Sequence, residues 1–79
     1  MLDLMDAIIA GADTSLAAAG ELEVAIDTAF PNDERAQKLV TDLALYRSGG
    51  GEFLWNTPEM QRRLADAREH LSKLWLQAR

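Results

Sequence analysis

From Met60 onward the apolar side chains fall into two interleaved seven-residue rows, Met60, Ala67 and Leu74 beside Leu64, Leu71 and Ala78. Seven residues are two turns of α-helix, so both rows share one face and the segment is fixed as a helix before anything else is known. Trp75 widens that face. Thr57-Pro58-Glu59 supplies the start, with threonine as cap, proline at the first helical position and an acid near the positive end of the dipole. Glu59 with Arg63 and Glu69 with Lys73 are correctly ordered i, i+4 pairs. The spacing predicts a helix over residues 58–78.

The same period runs through residues 2–30. Leu4, Met5, Ile8, Ile9, Ala12, Leu16, Ala19, Leu22, Ile26 and Phe30 share one broad face, and the phase survives Gly11 and Gly20. One continuous helix is therefore expected there, ended by Pro31, the alternative being two shorter helices that meet near Gly11 or Gly20. Asn32-Asp33-Glu34 restarts the chain with a capping oxygen and following carboxylates, which predicts a second helix over 33–47. Ala36, Leu39, Val40, Leu43 and Tyr46 lie on its inner side and Leu45 on the other. Gly49-Gly50-Gly51 then breaks the chain.

These elements give an all-α fold in a single domain, residues 1–79: a small antiparallel three-helix bundle, or a helical hairpin with a long N-terminal helix. Ala12 and Ala19 let a neighbouring helix approach closely, and Leu64, Leu71, Leu74 and Trp75 provide the bulk. The first helix would be about 42 Å long and the second about 22 Å, a ragged bundle. With 79 residues and no cysteine, neither disulfides nor thiolate metal sites support so small a core, so a homo-oligomer, a dimer first, is expected.

Charge is divided along the chain. Residues 1–34 hold eight acids and no Lys or Arg, whereas residues 35–79 hold eight bases against five acids, a −8 segment followed by a +3 segment. The two arms are expected to face each other, and the net −5 argues against nucleic acid as a direct ligand. Acids at Asp3 and Asp6, where a secretory leader carries bases, and the lack of an uncharged run of roughly 18 residues point to a cytoplasmic protein that does not engage a membrane.

Nothing assembles a catalytic group. His70 is the sole histidine, and Ser15, Ser48 and Ser72 lack a nucleophile-elbow context. Asp66 and His70 stand at i, i+4, but the helical dimetal signature needs Glu-x-x-His, and position 67 is Ala67. The glycine run lacks phosphate-loop spacing. No catalytic, metal or cofactor residue is expected.

Phe53-Leu54-Trp55 is the most informative local feature. Three large apolar residues in an extended segment cannot all face one core. They plug one end of the bundle, with Phe53 and Trp55 inward, or they anchor a partner. Leu45 and Leu76, opposite the apolar faces of their helices, would then be rim contacts. The expected function is a non-catalytic protein–protein interaction module, an adaptor, regulator or inhibitor. The alternative is an acidic decoy whose Asp3, Asp6, Asp13, Glu21 and Asp27 occupy a basic nucleic-acid-binding groove of a target, and a third reading is self-assembly alone.

Overall fold

A computed structural model describes residues 1–47, 51 and 54–77. Four helices stand in it: α1 (Leu2–Ile9), α2 (Leu16–Ala29), α3 (Glu34–Ala44) and α4 (Thr57–Gln77), with no strand among the described residues. The favoured continuous N-terminal helix is therefore two helices, broken near Gly11 as in the alternative, and the bundle has four helices, not three.

The break has a local cause. Gly11 adopts φ +81°, a left-handed conformation that glycine enters without penalty. Its amide donates to the Ile8 carbonyl at 3.1 Å and the Ala12 amide reaches back to Ala7 at 2.9 Å, the two bonds of a Schellman stop. Gln61 of α4 adds a third donor to the end of α1, from Nε2 to the Ile8 carbonyl at 3.0 Å. Four residues on, the Ser15 hydroxyl accepts from the Ala18 amide at 3.1 Å and caps α2. The Asp13 carboxylate in turn accepts from the Ser15 amide at 3.1 Å. Ala12 and Leu16, read as core positions of one helix, are consequently exposed, while Ala19, Leu22 and Ile26 are buried as expected.

The later boundaries follow their caps. Asp33 caps α3 by accepting from the Ala36 amide at 2.8 Å. α3 stops at Ala44, three residues short of the expected Arg47, because Leu45–Arg47 turn to meet a later segment: the Trp55 amide donates to the Leu45 carbonyl and the Arg47 amide to the Trp55 carbonyl, at 3.1 and 2.9 Å. At the start of α4 the capping residue is Asn56, not Thr57. Its side chain accepts from the Glu59 amide at 3.0 Å, which leaves the Thr57 hydroxyl for another use.

One core joins the four helices: Met5 and Ile8, Leu22 and Ile26, Leu39, Leu43 and Tyr46, and Met60, Leu64 and Leu71 are all buried. α4, about 31 Å long, spans most of the 36 Å long axis. α1 and α3 run antiparallel to it. Ile8 meets Gln61 while Asp6 meets Arg68, and Asp42 meets Arg63 while Asp33 meets His70. The acidic and basic arms thus face each other in part. Asp6 holds Arg68 through two hydrogen bonds of 2.7 and 3.1 Å, whereas Glu21, Glu23 and Asp27 of α2 make no ion pair among the described residues.

Two variants test this architecture. Gly11→Ala should cost about 1–2 kcal/mol, the left-handed penalty of a non-glycine residue, since its nearest contact would be an unstrained 3.7 Å. An unchanged denaturation midpoint would mean that α1 and α2 are one helix. Leu71→Ala, on a side chain 1% exposed, should cost roughly 2–5 kcal/mol and unfold most of so small a domain; a melting point within a few degrees of the parent would show that the inner face of α4 lies elsewhere.

Candidate interaction surfaces

The junction below α2, α3 and α4 is organised by one hydroxyl. Tyr46 is 1% exposed, and its Oη donates to the Thr14 carbonyl at 2.7 Å. A phenol has one proton, so the Thr57 hydroxyl, 2.9 Å away, is the donor in the second bond. The loop after α1, the end of α3 and the first residue of α4 meet at this atom.

Against this junction lies the segment read as plug or anchor. Phe53 falls outside the described residues. Leu54 is half-buried, its amide donating to the Gly51 carbonyl at 3.1 Å. Trp55 is half-buried beneath α4, with the Arg63 guanidinium 3.8 Å from its ring centroid, and its indole N–H is buried without a hydrogen-bond partner. Two backbone bonds and the cation–π contact hold Trp55 on the domain. Leu45, expected to point outward, is half-buried where α3 meets this segment.

Arg63 belongs to a polar cleft between α3 and α4, of about 260 Å³, with Arg35, Lys38 and Arg62 at its rim and Leu39 and Ala67 among its lining. Two of its four basic side chains are compensated by carboxylates within the chain. Arg63 reaches Asp42 at 3.4 Å, and Arg62 reaches Glu59 at 2.6 Å and Asp66 at 3.1 Å. Arg35 donates to the Asp66 carbonyl at 3.2 Å. The Nε of Arg63 lies 3.1 Å from Glu59 without the angle a hydrogen bond needs. This is a network that clamps α3 to α4.

The Asp66–His70 pair does not form: Asp66 is taken by Arg62, and His70 Nε2 lies 3.1 Å from Asp33 Oδ1. Among the described residues no group of three or more His, Cys, Asp or Glu could hold a metal ion. Of the carboxylates read as an acidic face, Asp6 is committed to Arg68 and Asp13 to Ser15, while Asp3, Glu21 and Asp27 are exposed.

Exposed apolar side chains gather elsewhere. Leu16 is 52% and Val24 65% exposed, eight residues apart and so on one stripe of α2. At the far end of α4, Leu76 is 64% exposed beside Trp75, whose ring meets Phe30 edge-on at 6.5 Å yet keeps 37% of its surface open. Leu76 was legible as a residue off its helix face. Leu16, Val24 and Trp75 were not read as exposed; the signals were the Asp13-Thr14-Ser15 cap before Leu16, and acids at Glu21, Glu23 and Asp27 around Val24.

Comparison with protein-family models, curated proteins and solved structures finds no match to this chain. Among the described residues no helix is long and apolar enough to cross a membrane.

Two measurements follow. Trp55→Ala should destabilise by about 1–3 kcal/mol, the range for losing one half-buried contact site. Unchanged stability would free Trp55 to act as an anchor. Acid should also weaken the fold in a defined direction. The Arg68 hydrogen bond lowers the Asp6 pKa, hydrogen bonds from Ser15 lower that of Asp13, the Ala36 amide lowers that of Asp33, and Arg62 lowers that of Glu59. Unfolding returns each to its ordinary value, 3.8 for Asp and 4.5 for Glu, so their stabilisation is complete above that range and is lost as pH falls through the lowered values. Denaturation midpoints should be flat above about pH 5 and fall below about pH 4; a midpoint that rises on acidification would contradict the assignment.

Proposed function

We propose that the chain is a non-catalytic protein-binding module that engages its partner through exposed apolar helix surfaces. The observation that carries this reading is the placing of its open apolar residues. The core is complete without Leu16, Val24 and Leu76, yet these stand more than half exposed on α2 and at the end of α4. Large apolar side chains left in water on a regular helix face, where polar residues are equally compatible with the fold, are what a docking surface needs. Several described side chains with reactive groups are spent on structure: His70 beside the α3 cap, Ser15 as the α2 cap, Tyr46 and Thr57 on the junction.

The reading places the module in the cytoplasm and includes a homo-oligomer, with the α4 end as its contact. The acidic-decoy alternative is weaker, because Asp6 and Asp13 already have partners within the chain.

Immobilised protein should retain a defined partner from a lysate of its source, and polar variants should release it without unfolding. Val24→Gln tests the α2 stripe and Leu76→Gln the α4 end, each with less than about 0.5 kcal/mol effect on stability, as for other surface changes. Retention lost in one variant and kept in the other identifies the surface. Retention unaffected by both, or abolished only by raised salt, would overturn an apolar docking surface.

A further inference from the structure

The outer face of α2 carries a glycine that the fold does not use. Gly20 sits in the interior of a fourteen-residue helix, one turn after Leu16 and one turn before Val24. A Cβ placed there would meet no atom within 4 Å, and the backbone has no positive φ to accommodate, in contrast to Gly11. Glycine inside a helix weakens it relative to alanine, so Gly20 is a local cost without a return inside the domain. What it creates is a notch between two exposed apolar side chains, with Ala17 exposed beside it. A residue lacking Cβ lets another backbone approach more closely than the usual side-chain-limited separation of helices.

The charges around the notch select the visitor. Glu21 is exposed on one flank and Glu23 half-exposed on the other, while Asp27 is exposed on the stripe itself, two turns after Gly20; none is paired among the described residues, and neither α1 nor α2 contains a Lys or Arg. Two copies of this face would bring acid against acid. A helix that offers a small or apolar stripe bordered by lysines or arginines complements it in both shape and sign.

From this we infer that the Leu16–Gly20–Val24 face of α2 is a docking groove for a basic amphipathic helix of a partner protein, seated with its backbone close over Gly20. The inference rests on the protein-binding reading above and names its surface and the chemistry of its partner.

The test uses the full chain and synthetic peptides of about four helical turns, one of Leu, Ala and Lys in amphipathic order and one with Glu in place of Lys. The basic peptide should shift backbone amide resonances within residues 16–28, and the acidic peptide should not. Gly20→Leu fills the notch and should weaken the basic peptide about tenfold or more while leaving the melting temperature equal or higher. Gly20→Ala, a milder filling, should raise the melting temperature and weaken binding less; it serves if the leucine variant misfolds. Resonance shifts confined to other helices, equal binding of both peptides, or undiminished binding by both Gly20 variants would overturn the proposal. So would concentration-dependent self-association that Gly20→Leu abolishes, since the face would then contact a second copy. If Leu76→Gln releases a captured partner and Val24→Gln does not, the protein-binding reading stands and this inference alone falls.

Discussion

The buried hydroxyl of Tyr46 is the point on which the arrangement of the helices depends. It ties the Thr14 carbonyl, in the loop between α1 and α2, to Thr57, at the first residue of α4, while Tyr46 itself lies just beyond the end of α3. A buried phenol needs its hydrogen-bonding capacity met, and the interruption at residues 10–15 leaves the Thr14 carbonyl without the amide four residues on that would bond it in a continuous helix, so Tyr46 satisfies it instead. The interruption and the tyrosine therefore support each other. The Schellman stop at Gly11 and the Ser15 cap make the loop, and Tyr46 fastens it to the base of the core.

From that break the surface follows. With α1 only eight residues long and hydrogen-bonded at its end by Gln61, α2 packs mainly through Ala18, Ala19, Leu22 and Ile26 and leaves its other side to water. Asp6 of α1 is neutralised on α4 by Arg68, while the acids of α2 make no ion pair among the described residues. The division of charge along the chain thus produces two outcomes: an internal clamp where α1 meets α4, and an acidic, partly apolar outer face on α2. That face, with Gly20, is one of the two surfaces on which the proposed function rests, the other being the end of α4.

Much of this was legible in the residues, and the failures have physical causes. The inner positions of α3 and α4, namely Ala36, Leu39, Leu43, Tyr46, Met60, Leu64, Ala67 and Leu71, were read from period alone and are buried. The N-terminal segment misled because Met5 and Ile8 of α1 and Leu22 and Ile26 of α2 keep one helical phase across the gap, so period alone hides the break. The information lay in backbone chemistry, in Gly11 as a stop and in Asp13-Thr14-Ser15 as a restart, which hydropathy does not weigh. Asn56 displaced Thr57 as a cap for a tertiary reason: the Thr57 hydroxyl was needed 2.9 Å from Tyr46, in a contact eleven residues distant in sequence. The open side of α2 was hidden by the same error, since a single long helix assigns Leu16 to the core.

The most direct measurement is the unfolding free energy of Tyr46→Phe, which deletes the hydroxyl and keeps the ring, read together with amide exchange across residues 10–19. Leaving the Thr14 carbonyl and the Thr57 hydroxyl without this partner should cost about 1–3 kcal/mol and raise exchange first at the start of α2. A Tyr46→Phe variant as stable as the parent, with slow, helix-like exchange running unbroken through residues 10–15, would contradict the account.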